Sequence, residues 1–235
     1  MNYFNQISQE LKSVADSRNA KILAGYFKTG KGEYGHGDVF LGIKVPIQRV
    51  IAKKYKDADL VSISKLLKSK IHEHRLTALM ILADQFEKAK TDALKKKIVT
   101  FYLKHITCVN NWDLVDSSAQ FILGEWLYDK DRSILYKLAR SKNLWERRIS
   151  IIATFAFIYK GEHKETFKIA EMLLKDEHDL IHKASGWMLR EVGKRARERE
   201  LLKFLDKHYK VMPRTMLRYA IERLSEPKRR HYLSK

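Results

Sequence analysis

The sequence predicts an all-α fold, a solenoid in which helical hairpins stack into an α-α superhelix. Apolar residues recur at helical rather than strand spacing through most of the chain. Only three prolines occur, Pro46, Pro213 and Pro227. Pro46 and Pro213 each stand just before a stretch of helical periodicity, where a missing N–H costs little. Related segments also recur at about the interval of one helical hairpin.

Taken in order, helical spacing runs through Tyr3–Val14, Ala20–Phe27, Pro46–Lys54, Leu60–Leu67, Glu73–Glu87, Ala93–His105 and Trp112–Leu127. It continues through Ser133–Leu138, Trp145–Tyr159, Lys164–Leu174, Leu180–Val192, Glu198–His208 and Pro213–Leu224. Shorter and longer elements alternate, joined by short polar connections, and no domain boundary is visible, so residues 1–235 are expected to form one domain. The exception is Thr29 to Asp38, where Gly30, Gly32, Gly35 and Gly37 remove helical propensity and predict a loop.

The repeat shows in three segments. Glu73-His74-Arg75-Leu76, Glu146-Arg147-Arg148-Ile149 and Ile181-His182-Lys183-Ala184 each open a helix with basic residues and then turn apolar. Asp116, Arg148 and Lys183 are 32 and 35 residues apart, a little shorter than a typical HEAT unit. Such units bury their faces against neighbours and align equivalent residues along one concave wall.

Charge narrows the partner. Lys and Arg number 47 against 28 Asp and Glu, a net charge of +19, which repels itself unless a polyanion is bound. A basic concave wall suits duplex nucleic acid; ribosome-associated and membrane-surface proteins share the charge balance. Cys108 is the only cysteine, which excludes an intrachain disulfide and points to a reducing cytoplasm. Neither a signal-like apolar region near Met1–Leu11 nor a membrane-length apolar run occurs, so a soluble, unexported monomer is expected.

Three patterns invite chemistry that the context does not support. Gly30-Lys31-Gly32-Glu33-Tyr34-Gly35 matches a dinucleotide fingerprint as a string, but no strand precedes it and no helix opens on it. His72 and His74 flank Glu73, yet alternate residues on a helix point apart, and no metal site is expected. Nothing near Cys108 would lower its pKa, so it reads as packing. No cofactor is called for.

Trp112 and Asp116 are four residues apart and share one helical face, where an indole and a carboxylate can hold something flat and cationic. Core packing for the tryptophan and a solvated helix-start acid are the plain alternative. If the repeats stack, Trp112, Asp116, Arg148 and Trp187 fall in one cleft. Trp145 lies a turn before Arg148, and Arg190 a turn after Trp187.

At these residues the sequence resembles the AlkD-type DNA alkylation repair proteins, which are built from HEAT-like repeats. The matching stretches are Phe40-Leu41-Gly42-Ile43 with Pro46 and Arg49, Trp112-Asp113-Leu114-Val115-Asp116, Trp145-Glu146-Arg147-Arg148 and Gly186-Trp187-Met188-Leu189-Arg190-Glu191. The resemblance implies a basic groove for double-stranded DNA and hydrolysis of the N-glycosidic bond of cationic N3- and N7-alkylpurines without base flipping, as in base excision repair. It implies that Asp116 is the catalytic aspartate, with Trp112 and Trp187 as the cleft aromatics of the catalytic site, and that Arg148 contacts DNA beside the lesion; Arg147, Lys183 and Arg190 are expected to bind DNA as well. One departure stands out: glycosylases of the family carry a DNA-engaging helix where Thr29–Asp38 is rich in glycine. Two other readings therefore stay open, a weakly active or non-enzymatic DNA-binding paralogue that keeps the cleft, and a basic helical scaffold for RNA or protein.

Overall fold

The computed structural model describes residues 3–234, with Ala196 described by its backbone alone. Among them the fold is all-α, with no strand; an isolated bridge pairs Val39 with Ile71. The chain forms two compact units, Met1–Ile122 and Leu123–Lys235.

The first unit holds α1 (Tyr3–Ser13), α2 (Ser17–Tyr26), α3 (Val45–Lys54), α4 (Leu60–Leu67), α5 (His72–Lys88), α6 (Asp92–Lys104) and α7 (Trp112–Asp116). Helix starts are set by side chains that accept orphan N–H groups: Asp16 for α2, Asp59 for α4, Thr91 for α6 and Asn111 for α7. The 17-residue α5 is the hub, with α1, α3, α4, α6 and α7 packed around it. Ile7, Leu11, Ile63, Leu66, Leu79 and Leu82 close the core between them. That burial, rather than helix propensity, holds such short helices in water.

Between α2 and α3 the chain runs as a series of turns, the loop that the glycines predict. Gly42, at φ +83°, ends it where a side chain could not fit: a Cβ there would meet the Asp16 carbonyl oxygen at 2.1 Å. That close approach gives the Phe40-Leu41-Gly42-Ile43 motif its physical reason.

The second unit holds α8 (Glu125–Leu127), α9 (Ser133–Ala139), α10 (Leu144–Ala153), α11 (Phe155–Tyr159), α12 (Lys164–Met172), α13 (Asp179–Glu191), α14 (Glu198–His208), α15 (Arg214–Ala220) and α16 (Glu226–Leu233). Hairpins α9/α10 and α12/α13 stack through contacts of α10 with α13, and α13 packs in turn on α15. At that last contact Gly186 lies so close to α15 that a Cβ would sit 2.5 Å from the Met216 carbonyl oxygen.

Three expectations need correction. The helix expected over Trp112–Leu127 is interrupted after Asp116 by a turn and a π-helical stretch, Gln120–Gly124. Ser118 causes the break locally, since its hydroxyl donates to the Leu114 carbonyl at 2.6 Å and competes with the helical ladder. Trp145–Tyr159 is likewise two helices, parted at Thr154, whose hydroxyl donates to the Ile151 carbonyl at 2.7 Å. Finally, α16 lies beyond the last expected helix. Its only buried residue is Tyr232, so it shows no apolar stripe, although Pro227 sits in its first turn.

Candidate active site

Asn111 sets the start of α7, accepting the Trp112 N–H at 2.8 Å. Trp112 and Asp116 then stand one turn apart, both half-buried, as their spacing requires. The indole is held from the loop side. Phe27 stacks on it with ring centres 5.2 Å apart and planes 9° apart, and the exposed Tyr26 meets it edge-on at 6.1 Å. Phe27 is itself stacked on Phe40 at 5.0 Å, so the first residue of the sequence motif supports the tryptophan through one intervening ring.

Beneath this aromatic column lies a buried charge cluster that sequence reasoning missed. His72, 2% exposed, directs Nδ1 at Asp38 Oδ2 (3.1 Å) and Nε2 at Asp113 Oδ2 (2.7 Å). Arg75 pairs with the other Asp38 oxygen at 2.7 Å and donates to the Ser69 carbonyl at 2.8 Å. Asn111 adds a bond to Asp38 at 3.3 Å. Burial alone would depress the His72 pKa, but the Asp113 charge and the bonds to both carboxylates outweigh it and raise it. Burial opposes ionisation of Asp38 too, yet His72 and Arg75 hold its carboxyl below the ordinary range. The next residue, Glu73, is 1% exposed and accepts the N–H groups of Leu41 (2.9 Å), Gly42 (2.8 Å) and Ile43 (3.2 Å). The available sequence signal was the run of polar residues from His72 to Arg75 at the start of an otherwise apolar helix.

In the second unit, Trp187 is half-buried and meets Phe155 edge-on at 5.5 Å. The cations expected to bind DNA have internal partners. Arg148 is 5% exposed and donates to the Leu180 carbonyl at 2.5 Å. Arg147 pairs with Asp176 at 2.6 Å and donates to the Ser141 and Lys142 carbonyls, each at 3.0 Å. Arg190 contacts Glu222 at 2.5 Å and Glu191 at 3.4 Å. Lys183 is the most exposed of the four, in an i,i+4 pair with Asp179 at 2.7 Å. Trp145 is buried, the packing role that tryptophan often takes.

No curated protein matches the chain. A solved structure described as a predicted DNA alkylation repair enzyme from Enterococcus faecalis is similar to it, with a TM-score of 0.70 and 18% identity. That likeness covers 90% of this chain and 97% of that one, and at such identity it speaks to the fold alone. No helix among the described residues is long and apolar enough to cross a membrane. The sequence matches the family described as DNA alkylation repair enzyme over residues 7–224, nearly its whole length, and the chain belongs to that family.

Proposed function

We propose that the protein binds double-stranded DNA and hydrolyses the N-glycosidic bond of cationic N3- and N7-alkylpurines. The observation that carries this reading is the Trp112/Asp116 pair, presented one turn apart on α7 with the indole fixed by Phe27. Family membership supports DNA as substrate or partner, and a net charge of +19 suits a polyanion.

An N-alkylated purine already carries positive charge, so it leaves without a general acid. What needs stabilising is the sugar as it gains oxocarbenium character. The Asp116 carboxylate supplies opposite charge to that sugar and orients the attacking water, and the Trp112 face lines the site and excludes bulk solvent. Trp187 is the second aromatic of the reading, contacting the deoxyribose and excluding solvent, and Lys183, the most exposed of the four cations, takes a DNA phosphate. Because the carboxylate acts on charge that develops only in the transition state, Asp116→Asn should leave duplex affinity nearly intact. Release of N7-methylguanine from methylated duplex DNA should fall on the order of a hundredfold or more. Equal release by wild type and variant above the spontaneous rate would remove Asp116 from the reaction.

A second reading, a DNA-binding paralogue without excision, is favoured by the absence of a helix between Tyr26 and Val45. It predicts duplex binding that weakens steeply with salt, and no base release above background by either wild type or Asp116→Asn. Stronger binding to structured RNA than to duplex DNA would favour a scaffold instead.

A further inference from the structure

The glycine-rich segment is tied to α7 through one imidazole. Asp38, its last residue, and Asp113, the residue after Trp112, both present carboxylate oxygens to the same ring from opposite ends, at 3.1 and 2.7 Å. Carboxylate oxygens only accept, and a neutral imidazole has one N–H, so only the doubly protonated ring satisfies both partners. With Arg75 on Asp38, two positive and two negative charges then balance in a buried site. Phe40 lies stacked over the ring at 4.6 Å and Phe27 lies tilted to it by 41° at 5.0 Å, where aromatic rings favour a cation. Phe27 also stacks on Trp112, so the same ring joins the charge cluster to the indole.

We propose that His72 is a positioning residue for the Trp112/Asp116 pair: its imidazolium clamps Asp38 of the loop to Asp113 of α7 and thereby fixes Trp112 against Phe27. The clamp rests on the glycosylase reading for its effect on base release, but not for its effect on Trp112. It gives the glycine-rich segment a positive task, since the segment runs from just after Phe27, the C-cap of α2, to Asp38 and joins the two. Loss of the His72 proton leaves the Asp38 and Asp113 carboxylates with one N–H between them, and Arg75 and Asn111 as the other polar groups bonded to Asp38 among the described residues. The clamp therefore loosens as pH rises through the raised His72 pKa, above about 6.5.

The test follows the Trp112 indole N–H resonance, identified by its loss in Trp112→Phe, across pH in wild type, Asp38→Asn and His72→Gln. Base release from methylated duplex DNA and duplex affinity are measured beside it. In wild type the resonance should shift with the His72 ionisation; in Asp38→Asn the transition should move to lower pH, because the ring has lost one anionic partner. His72→Gln should show no transition. A misplaced reacting group costs up to a hundredfold, so Asp38→Asn should release base about tenfold more slowly at unchanged affinity. Identical titrations in wild type and Asp38→Asn, or a Trp112 signal that stays still while the His72 ring titrates, would overturn the clamp. Should His72→Gln fail to fold, the wild-type titration and Asp38→Asn still decide. Absence of base release from every form, with the resonance behaving as expected, would count against the glycosylase reading and leave the clamp standing.

Discussion

At the opening of α5 four consecutive ionisable residues, His72 to Arg75, are buried, whereas α10 opens with Glu146, Arg147 and Arg148 and buries only Arg148. Both openings fasten other chain segments, but by different means. In α5, carboxylate and imidazole reach across to the segment before α3: Glu73 takes the Leu41, Gly42 and Ile43 N–H groups and His72 takes Asp38. In α10, guanidinium groups reach to the α9–α10 connection and to the start of the next hairpin, at Ser141, Asp176 and Leu180. The long, irregular connection offers both N–H groups, which Glu73 accepts, and the Asp38 carboxylate, which His72 and Arg75 hold, while the connections around α10 offer carbonyls and the Asp176 carboxylate, which guanidinium groups meet. The basic residues that open repeat helices are thus bound first to the fold, and only those with exposed ends are left for the DNA contacts proposed above.

The largest expected effect breaks the α5 side of that contrast. Glu73→Ala leaves two buried N–H groups and the partly buried Leu41 N–H without their acceptor, and each such loss costs about 1–3 kcal/mol, for a total on the order of 4 kcal/mol or more. Glu73→Gln keeps one carbonyl oxygen in place and should cost less. Arg147→Ala, at a half-exposed site, should cost about 1–2 kcal/mol. Urea unfolding of the three variants checks the order; a loss for Arg147→Ala equal to that for Glu73→Ala would show that the two openings are equivalent fastenings.

A second effect separates two histidines on the same helix. His72 faces the loop and α7, while His74 is 5% exposed, lies edge-on to Phe4 at 6.4 Å and has no hydrogen-bond partner for either ring nitrogen among the described residues. Burial, and then Arg75, lower the His74 pKa to about 4. The unfolded chain therefore binds a proton that the folded chain refuses, and stability falls as pH drops from about 6.5 towards 4, by up to about 3 kcal/mol. His72 has the opposite sign: its contribution is complete below the unfolded pKa and is lost as pH rises through the raised folded value. Melting temperature against pH should lose part of its acid slope in His74→Leu and keep its alkaline slope. An unchanged acid slope would put the acid sensitivity elsewhere.

These details mark where sequence reasoning stops. The apolar period located the helices that carry a core face, such as α3 and α4 packed on α5 and α10 and α15 packed on α13, because burial is what stabilises them. It missed α16, which buries Tyr232 alone. It also ran through Ser118 and Thr154, whose hydroxyls break the ladder without changing the period. Trp112 and Asp116 were legible because four-residue spacing is a local property of a helix. Asp38 and His72, 34 residues apart, were not, since nothing in either segment announces the other. Likewise Arg147 and Arg148 were legible as cations, but their internal partners depend on tertiary placement.

The smallest effect on stability separates the cations bound to the fold from those proposed to bind DNA. Lys183 sits in an exposed i,i+4 pair with Asp179, and such pairs contribute about 0.3–0.5 kcal/mol. Lys183→Ala should therefore unfold at nearly the wild-type urea concentration. If its ammonium exchanges Asp179 for a phosphate on DNA, the variant should bind duplex more weakly, and the slope of log affinity against log salt should shrink by about one. Arg147→Ala makes the reverse pattern, losing stability while the salt slope stays put, because its guanidinium is already bound to Asp176 and two carbonyls. Arg148→Ala should register first in unfolding, since the side chain is buried and bonded to Leu180. Its salt slope then decides whether that arginine also reaches a phosphate. A slope reduced by Arg147→Ala and untouched by Lys183→Ala would reverse the division between the cations that bind the fold and those that bind the polyanion.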